Sequence, residues 1–289
     1  IVLGDRFEAL AFAVSAYILR IPIAHLYGGE ITKGALDEGF RHAITKLSYL
    51  HFTSTQEYKK RIIQMGESPE RVFNVGALGL DNINKLKLLS KDGFEKALGI
   101  KFYKYTFLIT YHPETLSDSQ SEKDFSELLN ALETLKDTTL IFTKANADPS
   151  GRIINHMINE FVNKKLNAYI FDSMGQLLYL SLMHYVDAVI GNSSSGIIEA
   201  PSFKVATINV GNRQKGRIKA KSIIDCEPKK DEILNAIQKA ISLEFKKSLE
   251  NVESPYGDGK SAIKIVNILK RFFPLKNISK DFYKVEVND

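Results

Sequence analysis

The chain has 289 residues, of which 44% are hydrophobic and 25% charged, enough for two domains with separate cores. A net charge of +5 drawn from both signs excludes the dense basic surface of a nucleic-acid binder and suits a small anionic ligand. The single cysteine, Cys226, excludes an intrachain disulfide and a thiolate metal site, and no apolar run approaches the ~18 residues of a membrane span, so a soluble protein of a reducing cytoplasm is expected.

The opening residues, IVLGDRFEAL, contain no Met and read as the end of a buried strand running into a helix, so the chain is expected to begin inside a domain. Short apolar runs bounded by Gly, Asn or Asp then alternate with helical patterns, the signature of parallel sheets wound with helices. The first series predicts strands at 1–3, 21–27, 49–54 and 71–75 and helices at 6–19, 36–47, 56–65 and 79–89. The charged stretch KLKLLSKDGFEKALGIKFYKY predicts a helix and then a linker. A second series predicts strands at 106–112, 138–144, 167–173, 187–192 and 204–210, with helices near 121–136, 150–164 and 175–184. SAIKIVNILKRFF, 261–273, has helical spacing and is expected to close the fold. The fold class is therefore α/β with two doubly wound units. Their boundaries are expected at 1–98 and 99–260, followed by a C-terminal helix and tail, 261–289. Ligands of such sheets bind beyond the carboxyl ends of the strands, so the cleft between the units is the expected site.

Strand ends are where chemistry is sought. GNSSSGIIEAPSF places Ser193, Ser194, Ser195 and Gly196 at a strand-to-helix turn, where unpaired amides and the positive dipole end favour phosphate. An ordinary N-cap explains one serine; three and a glycine ask for more. Pro201 limits that helix to little beyond one turn, and Glu199 lies one turn past Ser195, placed to meet sugar hydroxyls or only to serve the dipole. The following strand leads to VGNRQKGRIKAKS, in which Arg213 can clamp a pyrophosphate, although charge runs are often solvated faces. The first unit offers acids: Asp5 and Arg6 after IVLG, Glu30 after HLYGG, and Asp37, Glu38, Arg41 and His42 at a helix start, with Glu38 sharing a face with Arg41 and His42. His112 ends a strand and precedes Pro113, which holds it extended. His51, His156 and His184 lie inside elements and read as structural. There is no zinc spacing, phosphate-binding Walker loop or dinucleotide motif.

Taken together, GDRFEAL, HLYGGEITKGALDEGFRHAITKLSYLHFTST, RVFNVGALGLDNI, ITYHPET, GNSSSGIIEAPSF and NVGNRQKGR resemble the hydrolysing branch of the nucleotide-sugar 2-epimerase family over residues 1 to about 226. The resemblance implies a glycosyltransferase B-type fold of two Rossmann-like domains facing a cleft, the first lacking its start here and receiving the C-terminal helix and tail, which cross back to it. It implies action on a nucleoside diphosphate linked to an N-acetylhexosamine: a base takes the carbon-2 proton, the nucleoside diphosphate leaves carbon 1, and water adds to the glycal to release a free manno-configured sugar. By matching position, Ser193, Ser194 and Arg213 would hold the diphosphate, Glu199 the ribose and His112 the phosphate or sugar region. Asp5, Glu30, Asp37, Glu38 and Arg41 would surround the reacting sugar, with acid/base work at Asp5, Asp37 and Glu38. No metal or redox cofactor is implied, and the expected partners are the nucleotide sugar and further copies of the chain, with no nucleic acid or membrane. One position departs from the family: a glutamate two residues after the histidine of HLYGGE is here Tyr27, which cannot serve as a carboxylate near neutral pH and is expected to recognise the sugar. This departure points to a 6-deoxy-4-acetamido sugar on a sialic- or legionaminic-acid-type route as well as to N-acetylglucosamine, with uridine or guanosine as the base. A glycosyltransferase of the same fold and a non-catalytic nucleotide-sugar sensor are the alternatives.

Overall fold

A computed structural model describes residues 1–32, 36–113, 118–145, 149–275 and 278–285. The chain forms two compact units, one of residues 1–84 with 255–289 and one of residues 85–254. In the first, four parallel strands lie in sequence order: β1 (Val2–Leu3), β2 (Ala24–Leu26), β3 (Leu50–Thr53) and β4 (Val72–Asn74). Their register aligns Val2, His25, His51 and Val72 in one row across the sheet. Alternation along each strand sends Leu26, Leu50 and Phe52 to one face, where Ile265 and Ile268 of helix Ser261–Phe272 cover them. Val2, Ile23 and Ile44 gather with Ala13 and Ala16 of helix Phe7–Ile18 in a separate cluster. Burial on both faces of β2 and β3 is why these two strands read as apolar runs interrupted by His25 and His51.

Helix Ser261–Phe272 begins where it does because Asp81, itself buried, accepts from the Ser261 and Ala262 amides at 2.8 and 2.7 Å. Those amides have no partner within the helix, and a carboxylate suits the positive end of its dipole. The helix expected at 79–89 is shorter, Asp81–Lys85, after a 3-10 turn at Leu78–Leu80.

The second unit holds β5 (Tyr105–Thr110), β6 (Thr138–Thr143), β7 (Ala168–Phe171), β8 (Ala188–Gly191), β9 (Ala206–Val210) and β10 (Ile223–Cys226). All pair in parallel in the order β10-β9-β8-β5-β6-β7. The order reverses direction between β5 and β8, so the ends of these two neighbours form the switch point at which such sheets place ligands. Helix Lys91–Leu98 belongs to this unit, because Phe94, with Ile100 and Phe102 after it, packs with Leu108 and Ile141. The boundary expected after residue 98 therefore falls at Asn84. β10 and the helices Lys230–Ile241 and Leu243–Leu249 add elements that the sequence reading did not contain. Among the described residues no helix is long and apolar enough to cross a membrane.

Candidate functional site

The carboxyl ends of the first sheet carry a cluster organised by Arg41. Helix Asp37–Leu47 buries this side chain completely, and its guanidinium spends its donors on the chain itself. Nε donates to Asp5 Oδ2 at 2.8 Å and Nη2 reaches the same oxygen. Nη1 donates to Glu38 Oε2 at 2.5 Å and to the Glu30 carbonyl at 2.8 Å, and Nη2 also donates to Thr32 Oγ1 at 2.9 Å. Burial works against the guanidinium's charge, but Asp5 and then Glu38 outweigh it and hold its pKa above the ordinary value. Asp5 and Glu38 keep 29% and 33% of their side chains open to solvent, so both carboxylates remain reachable from outside.

The loops feeding this cluster are fixed as well. His25 of β2 donates from Nε2 to the Gly4 carbonyl at 2.9 Å, pinning the turn that bears Asp5. Burial lowers the pKa of that imidazole to about 4. Gly29, at a φ of +78°, lets the HLYGGE loop lie against helix Gln56–Gln64, where a Cβ would run into the Tyr58 carbonyl. Its own carbonyl accepts from Arg61. Glu30 is buried, and its Oε1 accepts from Ser54 Oγ at 2.9 Å. Asp37 opens the helix and is half-buried, while His42 Nε2 lies 3.5 Å from Glu38 Oε1.

Two expectations, for Arg41 and Arg6, change here, and the structure gives Tyr27 a place. Arg41 has no surface to offer a sugar, because the buried guanidinium is consumed in holding Asp5, Glu38 and the Glu30 backbone. Arg6 does not join the cluster: it caps helix Phe7–Ile18 in an extended conformation, and its exposed side chain turns to Glu8 at 3.4 Å. Tyr27 packs with the apolar cluster beneath helix Ser261–Phe272, and its hydroxyl accepts from the Gly79 amide at 3.2 Å.

In the second unit, Asn192 joins the pieces of the serine turn. Its side chain accepts from the His112 amide at 2.7 Å and donates to the His112 carbonyl at 2.8 Å, fixing the end of β5. Its carbonyl accepts from Arg213 Nη1 at 3.0 Å and from Gln214 Nε2 at 2.7 Å, which ties in the loop after β9. Gly191, at a φ of +128°, makes the turn possible, since a Cβ there would meet the Thr110 carbonyl oxygen. Helix Ser194–Ile198 follows, with the Ser193 hydroxyl accepting from the Ser195 amide at 3.4 Å. Gly196 is buried against Thr207, whose hydroxyl donates to its carbonyl at 2.8 Å. A 3-10 turn, Ala200–Phe203, takes over at Pro201, and Glu199 caps the short helix between the two.

Ser193, Ser194, Ser195, His112 and Arg213 thus converge on one turn at the switch point, with Ser194 partly exposed at the helix start. Burial first and then the nearby Arg213 charge lower the His112 pKa to about 4, so this imidazole is neutral at physiological pH and available to an anion only as a neutral hydrogen-bonding group. Lys219 belongs to a different set, paired with Asp225 at 2.6 Å. The sequence reading missed Asn192, Tyr179 and Thr32. Asn192 stood inside the quoted motif but read only as a turn residue. Tyr179 lies in helix Gly175–Met183 and reaches Ser195 Oγ at 2.7 Å, a pairing that no local spacing announces. No group of three or more metal-ligating side chains occurs among the described residues.

Residues 1–270 match the UDP-N-acetylglucosamine 2-epimerase family. The chain is 47% identical over 249 residues to the GDP/UDP-N,N'-diacetylbacillosamine 2-epimerase (hydrolyzing) of Campylobacter jejuni, covering 86% of this chain and 64% of that protein. It is 42% identical over 286 residues to the polysialic acid biosynthesis protein P7 of Escherichia coli, covering 98% of this chain and 73% of that protein. It is 36% identical over 270 residues to a Legionella pneumophila UDP-N,N'-diacetylbacillosamine 2-epimerase (hydrolyzing), covering 93% of this chain and 70% of that protein. In structure it is similar to the Neisseria meningitidis UDP-GlcNAc 2-epimerase bound to UDP-GlcNAc, with a TM-score of 0.79 at 20% identity over 93% of this chain and 75% of that one. The fold is thus that of two Rossmann-like domains of the glycosyltransferase B type. From its motifs, its two sheets and its match along residues 1–270, this chain belongs to the UDP-N-acetylglucosamine 2-epimerase family.

Proposed function

We propose that the full-length protein is a hydrolysing 2-epimerase of a nucleoside-diphosphate-linked N-acetylhexosamine. Its substrate is UDP-N-acetylglucosamine or a UDP- or GDP-linked 2,4-diacetamido-6-deoxy sugar, and it works in the cytoplasm as a homo-oligomer on a route to sialic- or legionaminic-acid-type sugars. A carboxylate takes the proton from carbon 2 while the nucleoside diphosphate departs from carbon 1 with the bonding electrons. Water then adds across the resulting double bond, hydroxyl to carbon 1 and proton to carbon 2 on the opposite face, to give the free manno-configured sugar. Asp5, Glu30, Asp37 and Glu38 supply the acid/base groups, and Ser193, Ser194, Arg213 and neutral His112 hold the leaving diphosphate, with Glu199 at the ribose.

The observation that carries this reading is the Arg41 centre, which keeps Asp5 and Glu38 together beside the Glu30 loop while both remain reachable from solvent. A glycosyltransferase has no use for a carbon-2 base and would need none of these acids. The test is to incubate the full-length protein with the UDP- and GDP-linked sugars, without an acceptor, in deuterated water. Free nucleoside diphosphate and a free 2-epimerised sugar carrying deuterium at carbon 2 are expected, and Asp37→Asn should abolish both while nucleotide binding persists. Turnover only when an acceptor sugar is added would establish the transferase instead.

A further inference from the structure

The serine turn rests on a row of hydroxyls. Thr143 closes β6 and Thr110 closes β5, and their Oγ1 atoms lie 2.5 Å apart. The phenol of Tyr179 lies 2.7 Å from Ser195 Oγ and feels the Thr110 hydroxyl as well. In the Tyr179–Ser195 pair each oxygen has one hydrogen to donate, so the bond points in one of two directions, towards Tyr179 or towards Ser195. Pointing towards Ser195, Tyr179 donates to Ser195 Oγ, and the serine's own hydrogen is left to donate outward. Burial raises the Tyr179 pKa to about 12, so the phenol keeps the hydrogen that this direction requires. Arg213, anchored on the carbonyl of Asn192, brings a positive charge to the same turn.

We propose that Tyr179 is a positioning residue that makes the Ser195 hydroxyl a hydrogen-bond donor to the phosphate groups of a nucleoside diphosphate held at the serine turn. The inference rests on the diphosphate reading given above and adds to it the residue that sets the serine's direction. Tyr179 acts entirely through Ser195. Without the phenolic oxygen, Ser195 Oγ loses the donor that holds its own hydrogen outward and its hydroxyl is free to rotate, so its bond to the phosphate weakens while the ring packing is unchanged.

Calorimetric titration of the full-length protein with UDP, GDP, uridine and guanosine tests this. Tyr179→Phe is expected to weaken binding of the preferred nucleoside diphosphate about three- to tenfold, the range of one neutral hydrogen bond, and to leave the matching nucleoside unchanged. In a Ser195→Ala background the same substitution should cost nothing further. Thr110→Val, one step back along the row, should show the same selectivity for the diphosphate and serves if Tyr179→Phe does not fold. Arg213→Ala separates the two levels of the argument. If it weakens diphosphate binding and Tyr179→Phe does not, or if Tyr179→Phe costs as much without Ser195, the Tyr179 proposal is overturned and the diphosphate site stands. If the unsubstituted protein binds neither UDP nor GDP, both fall.

Discussion

Arg41 and Asp5, 36 residues apart in sequence, share an ion pair in which one partner has no solvent exposure: Arg41 Nε donates to Asp5 Oδ2 at 2.8 Å. The same guanidinium holds Glu38, so one cation sets the spacing of two carboxylates. Replacing Arg41 with Met should leave those acids facing each other uncompensated and lower stability by about 3 kcal/mol, the bottom of the range for breaking a buried pair because both carboxylates keep some solvent. Arg41→Lys should recover little, since an ammonium has three donors on one nitrogen where the planar guanidinium makes five bonds, to Asp5 twice, Glu38, the Glu30 carbonyl and Thr32. Urea denaturation of the three proteins measures this.

Asn192→Ala should remove both side-chain bonds to the part-buried His112 backbone, at a cost of about 2 kcal/mol. Faster hydrogen exchange is expected at His112 and across residues 212–214, where Arg213 and Gln214 hang on the Asn192 carbonyl.

Acid should destabilise both units through histidines. His25 and His112 each have a folded pKa of about 4, depressed by burial and, for His112, by Arg213 as well, against about 6.5 in the unfolded chain. Between those values the unfolded chain binds more protons, so stability falls as pH drops from 6.5 towards 4 and is unaffected by these groups above 6.5. His112→Gln should flatten part of that slope in a series of melts from pH 7.5 to 4.

Glu67 is fully buried among Lys46, His51 and Lys280, at 2.5, 3.2 and 2.9 Å. Burial would raise its pKa, but the bonds from His51, Lys46 and Lys280 prevail and lower it to about 2, so its contribution is present above pH 4.5 and lost as pH falls towards 2. Glu67→Gln should release Lys280 and the segment around Phe282, whose ring stands over Gly66. Limited proteolysis should then cut within 278–285, where the parent protein resists.

Most strands were legible because a buried parallel sheet writes itself as apolar runs, and the candidate acids were found by looking at the carboxyl ends of those runs. β10 escaped because it is an edge strand: of IIDC only Ile224 is buried and Asp225 is exposed, so no continuous run marks it. Helix Lys230–Ile241 did carry a signal, Ile233, Ala236, Ile237 and Ala240 at helical spacing, hidden by the charges between them. Within the site, spacing three put Glu38 and Arg41 on one helix face without saying which way that face points. Only the arrival of Asp5 from β1 and Thr32 from the neighbouring loop turns that face inward. Asn192 and Tyr179 depend on partners 80 and 16 residues away, a relation that no window of sequence contains.

The Asp81 cap on helix Ser261–Phe272 bears on the order in which a ribosome can finish this protein. Residues 85–254 form a continuous unit that can close as soon as it emerges, but Leu50 and Phe52, made long before, wait for Ile265 and Ile268. The part synthesised first is therefore completed last, against the usual N-terminal-first sequence. A ribosome halted near residue 254 would present a closed second unit tethered to a sheet with one bare apolar face, a form with every reason to engage a chaperone.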